Sequence, residues 1–113
     1  MDKVKQRKLE QAGWRVGTVA AFIGLTPAEM ELVEMRLALA ETLRETRATA
    51  EVTQIELARR LGSSQSRVAK MEAGDPTVSL DLLIRAHIAL GSSRRVVGHA
   101  LARRLPRRSL TQR

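Results

Sequence analysis

The chain has no cysteine. That excludes a disulfide framework and a thiolate metal site, and it fits a reducing cytoplasm. Aromatic side chains are nearly absent as well: Trp14 and Phe22 are the only two. Single strands of nucleic acid are usually gripped by several stacking rings, and two rings cannot build such a platform. No apolar run approaches the ~20 residues needed to cross a bilayer, so no membrane contact is expected. The opening stretch, "MDKVKQRKLEQAG", is charged and lacks an apolar core, so no signal peptide is expected either.

What the chain has is positive charge. Its 113 residues carry a net +8, with a pI near 11.4, which points to a polyanionic partner. The surplus is uneven. Residues 1–50 hold 8 Lys/Arg against 7 Asp/Glu, whereas residues 51–113 hold 12 against 5. From Arg94 onward there are 7 arginines and no acid. With stacking excluded, duplex DNA read by helices and charge is the better polyanion.

Hydrophobic residues make up 43% of the chain, enough for the core of one small domain. Their spacing is helical. Short helices are expected over residues 3–11 and in "RVGTVAAFIG", closing at Gly13 and Gly24. Thr26, Pro27 and Glu29 supply an N-cap, an N1 proline and an N3 glutamate for a long helix from Pro27 to about Thr49. Leu32, Met35, Leu39 and Leu43 recur along it. Thr53 and Ser64 cap the next two helices. Gly74, Asp75 and Pro76 break the chain. "TVSLDL" alternates like a strand, but apolar spacing continues to Leu90, so a helix capped by Ser79 is expected, ending at Gly91. Ser92 or Ser93 caps a last helix from Arg94 to Arg104, and Pro106 opens a basic tail. The fold class is all-α, without internal repeats.

The stretch "TQIELARRLGSSQSRVAKMEAG", residues 53–74, carries the most chemistry. Ala58 is small where a second helix has to approach. Gly62 sits where a tight turn needs positive φ. Leu57, Leu61, Val68 and Met71 are spaced to meet between two helices. The remaining face of the second helix shows Gln65, Ser66, Arg67 and Lys70. These are donors and acceptors suited to base edges, Gln to adenine and Arg or Lys to guanine. Its N-terminus, capped by Ser64, favours phosphate. A solvated polar face is the bland alternative, but caps, turn and charge surplus all fall in one register. The arrangement is a helix-turn-helix with a recognition helix.

The same stretch resembles the Xre (Cro-repressor-like) transcriptional regulators. Thr53-Gln54, Leu57-Ala58, Leu61-Gly62, Ser64-Gln65-Ser66, Val68, Met71-Glu72 and Gly74 fall in register, and the likeness spans about residues 36–91. It implies a lambda-repressor-like domain of about five helices with an N-terminal helical extension. It also implies a homodimer on a double-stranded operator that is an inverted repeat. By the resemblance, Gln54 holds a DNA phosphate, Gln65, Ser66 and Lys70 reach bases, and Arg67 lies at the edge of that surface. Arg47 and Glu72 match a partly buried ion pair. Glu51 departs from the pattern, standing where glycine is common, so a longer or looser turn is expected there.

Residues 7–45 are similar to the leader of HigA-like antitoxins, which repress their own operon and neutralise a RelE/HigB-like ribonuclease toxin. Three readings follow: an autoregulating antitoxin, a toxin inhibitor with DNA binding secondary, or a phage-type repressor with no toxin partner. Trp14 and Phe22 are core residues or, in the antitoxin readings, partner contacts. The expected units are an extension (1–25), the helix-turn-helix domain (26–92) and a basic C-terminal helix and tail (93–113). For the arginine-rich end, headed by Arg94 and Arg95, phosphate contact and a solubilising tail both stand. His87 and His99 have no second ligand at metal spacing. Ser63 and Ser64 have no neighbouring base. Neither a cofactor nor an enzymatic activity is expected, and the expected location is cytoplasmic, with the nucleoid.

Overall fold

The computed structural model describes residues 24–104. The two expected N-terminal helices, Trp14, Phe22 and the tail from residue 105 lie outside them. Five α-helices follow one another: α1 (Pro27–Thr49), α2 (Gln54–Leu61), α3 (Gln65–Glu72), α4 (Leu80–Ala89) and α5 (Arg94–Ala102). Among the described residues there is no strand, so "TVSLDL" resolves to a helix start.

Each helix begins on a hydroxyl. Thr26, Thr53, Ser64, Ser79 and Ser93 are the N-caps, each accepting from the backbone N–H three residues on. Each such cap stabilises by about 1 kcal/mol. At Thr26 the arrangement is reciprocal, because the Glu29 carboxylate accepts from the Thr26 N–H at 2.9 Å.

The helix ends are equally definite. Gly62 (φ 64°) closes α2, with Ser63 N–H donating to the Ala58 carbonyl at 2.9 Å. Gly74 (φ 74°) follows α3 in a left-handed conformation that favours glycine, and a Cβ there would also press on the Leu37 side chain at 2.7 Å from Cδ2. At the end of α1 the expectation of a looser turn is corrected. Glu51 takes the left-handed conformation itself, at φ 59°. The Glu51 and Val52 N–H groups donate to the Ala48 and Arg47 carbonyls at 3.0 and 3.1 Å, a tight Schellman closure built without glycine.

The core joins all five helices. Leu39 and Leu43 of α1, Leu57 of α2, Val68 and Met71 of α3 and Leu83 of α4 are fully buried. Val97 and Ala100 bring α5 into the same core, so packing runs through the boundary drawn at residue 92. Leu32 departs from its apolar series and stays 48% exposed, near the free end of the long α1. Leu61 is only partly buried, at the rim between α2 and its neighbours. His87 is fully buried in α4; its Nε2–H donates to the Leu39 carbonyl at 3.0 Å, and Nδ1 has no partner among the described residues.

The last helix stops at Ala102, two residues before the expected end. Arg103 is extended (φ −69°, ψ 132°) and turns back to α1. Its guanidinium reaches Thr42 Oγ1 at 2.9 Å and Glu45 at 3.1 Å, while Arg104 pairs with Glu31 and Glu34. Part of the C-terminal charge surplus is thereby spent inside the domain.

Candidate nucleic-acid interface

The α2–turn–α3 unit is fixed from beneath. Leu57, Val68 and Met71 are fully buried, and Ala58 is small enough to let α3 cross close to α2. With those positions turned inward, helical periodicity turns Gln65, Ser66, Arg67 and Lys70 outward, and all four are exposed. One helix therefore brings the four expected base-reading residues together. Ser64 sits at its head, where its hydroxyl accepts from the Arg67 N–H at 3.2 Å. Beside α3, the side chains of Ser64, Ser66, Arg67 and Lys70 face Thr77 and Val78 across a shallow polar depression. Asp75 stands at the edge of this region. Hydrogen bonds from the Thr77 hydroxyl and N–H hold its carboxyl below the usual range, with Lys70 adding attraction.

Most arginines in the described residues have partners. Arg59 and Arg60 share Glu56, whose carboxyl they pull down to about 2. Arg44 pairs with Glu41, Arg85 with Asp81, Arg103 with Glu45 and Arg104 with Glu31 and Glu34. Arg36 donates to the Val78 carbonyl. The cations whose side chains make no hydrogen bond or ion pair to any described residue are Arg67, Lys70, Arg94 and Arg95. Among the described residues, the cations without a hydrogen bond or ion pair thus lie on α3 and at the start of α5. The helix that carries Arg94 and Arg95, α5, packs chiefly on α1.

Behind the exposed face lies a chain of hydrogen bonds. Arg47 on α1 forms a two-pronged pair with Glu72 at the end of α3: Nε donates to Oε2, and Nη2 donates to Oε1 at 2.9 Å. The Arg47 side chain is 17% exposed and that of Glu72 4%. Arg47 Nη1 also donates to the Val52 carbonyl at 2.9 Å, tying the α1–α2 turn to the same point. The bond to Glu72 raises the Arg47 pKa above its ordinary value. Glu72 Oε1 accepts a further bond from Gln54 Nε2 at 3.1 Å, and Gln54 Oε1 accepts from Gln65 Nε2 at 3.0 Å.

Sequence reasoning missed the last two links. Its signal, visible only afterwards, is that Gln54 and Gln65 are each the first residue of a helix that follows a hydroxyl cap. Two helix starts placed side by side bring the two amides within reach.

A family model for the helix-turn-helix domain matches residues 38–100, more than half of the chain. The chain belongs to the helix-turn-helix domain family. No curated protein and no solved structure matches it.

Proposed function

We propose that the protein is a sequence-specific regulator that binds double-stranded DNA and represses transcription. The observation that carries this is the α3 face. Gln65, Ser66, Arg67 and Lys70 stand exposed on one helix of a helix-turn-helix, and its two cations make no hydrogen bond or ion pair to any described residue. Such a helix fits the major groove, where Gln suits adenine and Arg or Lys suits guanine. Ser64, Gln54, Arg94 and Arg95 are assigned to backbone phosphates, Ser64 because it caps the N-terminus of α3 and Gln54 by the resemblance to Xre regulators. The protein acts as a binding protein rather than an enzyme: α3 blocks the groove and, with it, polymerase. Its place is the cytoplasm, on the nucleoid.

We further propose a homodimer on an inverted repeat. One short recognition helix offers few contacts, and two half-sites about 34 Å apart double them. The finer proposal, an autoregulating antitoxin with a RelE/HigB-like toxin partner, rests on the resemblance of residues 7–45 alone, with Trp14 and Phe22 as the partner contacts.

Selection of bound duplexes from a random pool tests the main reading. An enriched inverted repeat with half-sites one helical turn apart is the expected outcome. Enrichment of no motif, with equal affinity for all duplexes, would refute it.

A further inference from the structure

Helix α1 is longer than the core it serves. Leu32, Met35, Leu39 and Leu43 form one apolar stripe along it, at helical spacing. Leu39 and Leu43 are fully buried, whereas Leu32 is 48% exposed. Met35, one turn further in, lines a hollow of about 150 Å³ with Leu101, Glu31, Glu34 and Arg104. The stripe therefore continues beyond the packed core.

The chain carries a segment of matching chemistry. Residues 14–23, "WRVGTVAAFI", hold both aromatics and the unbroken apolar run 19–23. A Trp or Phe side chain buries about 150–250 Å². Ten residues are too few to hold a helix alone in water, where even ~12–15 are marginal, so the segment needs a surface. Only Gly24, Leu25 and the cap Thr26 separate it from α1. Gly24 is left-handed (φ 79°), the usual way a helix ends. A connection this short makes successive helices antiparallel neighbours. Ten helical residues rise about 15 Å. Laid back along α1 from Pro27, they reach the level of Arg36, which brings Trp14 beside Met35. Charge is complementary as well. Residues 1–15 carry five Lys/Arg against two Asp/Glu, while residues 27–36 carry Glu29, Glu31 and Glu34 against Arg36 alone.

We propose that residues 14–23 dock on the uncovered end of the α1 stripe, over Leu32 and Met35, with Trp14 at the hollow beside Leu101. The surface is thus an intramolecular one, and its occupant is the chain's own N-terminal segment. This does not depend on the reading of α3. It has a consequence for partners: a protein that takes Trp14 and Phe22 first has to lift the segment from α1, so capture and docking compete.

Trp14 is the sole tryptophan, so the fluorescence of the full chain reports on it alone. The test compares wild type, Leu32→Asp, Leu32→Ser and Ile88→Asp by emission maximum, acrylamide quenching and sedimentation. Leu32 and Ile88 are both exposed, so neither change empties the core, and circular dichroism checks that helix content is kept. Wild-type emission is expected well to the blue of its position in urea, with weaker quenching. Leu32→Asp should move both most of the way to their urea values, and Leu32→Ser part of the way, with sedimentation unchanged. Ile88→Asp, on α4, should leave both as in wild type. Wild-type emission already at the urea position would overturn the proposal. So would wild-type emission in both Leu32 variants, or an equal shift in Ile88→Asp, because Trp14 would then pack elsewhere. A red shift in Leu32→Asp that came with loss of self-association would assign the stripe to a second copy of the chain and overturn it too.

Discussion

Replacing Glu72 by Ala should be the most costly single change among the charged residues of this domain. The wild-type carboxylate lies almost entirely out of solvent and accepts two bonds from Arg47 and one from Gln54. Truncation removes both acceptor oxygens and with them all three bonds. Arg47 keeps only its bond to the Val52 carbonyl, and its guanidinium remains mostly enclosed. Breaking a buried pair from one side costs about 3–5 kcal/mol, because the surviving charge is stranded. Arg47 retains some contact with water, so we place the cost near the lower bound, about 3 kcal/mol. For a domain of this size, about 4–8 °C of Tm is lost per kcal/mol, so Tm should fall by more than ~10 °C. The comparison is Glu41→Ala, which breaks the pair of Glu41 with exposed Arg44. Exposed pairs are worth about 0–1 kcal/mol. Thermal and urea unfolding of both variants, followed by circular dichroism, decides the matter. Equal losses for Glu72→Ala and Glu41→Ala would show that the pair is not a buried strut, and the reasoning from burial would be refuted.

Other outcomes follow from single features. Glu51 holds a left-handed backbone that costs an L-residue roughly 1–2 kcal/mol. Glu51→Gly should therefore raise stability by about 0.5–1 kcal/mol after the entropy of glycine is deducted; unfolding midpoints at or below wild type would contradict this. His87 has its pKa lowered by burial, with the hydrogen bond to the Leu39 carbonyl opposing. The unfolded chain thus binds a proton before the folded one does. Stability should be full above the ordinary value of 6.5 and decline as pH falls below it, until the lowered folded value is reached. In urea titrations from pH 8 to pH 5, His87→Leu should flatten that decline, and an unchanged slope would rule out His87 as its source. Arg94→Ala and Arg95→Ala should weaken binding to all duplexes alike and each lower the salt slope by about 0.9. A sequence-dependent loss in a filter-binding series would assign them to bases instead.

Much of the fold is legible in the sequence because helix boundaries are written in local chemistry. Five hydroxyl caps, Pro27 and the glycines at 62, 74 and 91 act within a few residues of where they stand. Leu57, Val68 and Met71 are legible by periodicity, since a short helix has only one inward face. Long-range matters are less so. Arg47 and Glu72 stand 25 positions apart, and only a family resemblance links them before the structure is seen. The use of Arg103 and Arg104 on the acidic side of α1 could not be read from composition, which counts an arginine the same whether it meets a carboxylate or water. Leu32 shares the spacing of Leu39 and Leu43, yet its part of the helix lies beyond most of the core. At Glu51 the family pattern asked for glycine, whereas the two backbone bonds of the Schellman turn hold a glutamate in the same conformation. The contact between Gln54 and Gln65 depends on the crossing of two helices, which no local signal encodes.

The central claim is that α3 reads bases through Gln65 and Lys70. Its most direct test is a titration of wild type, Gln65→Ala and Lys70→Ala against the selected duplex and a shuffled duplex of equal length and composition. The account predicts that each substitution costs about 1–3 kcal/mol per half-site on the selected duplex and far less on the shuffled one. Equal losses on the two duplexes would contradict it, because the side chains would then be touching only the phosphate backbone.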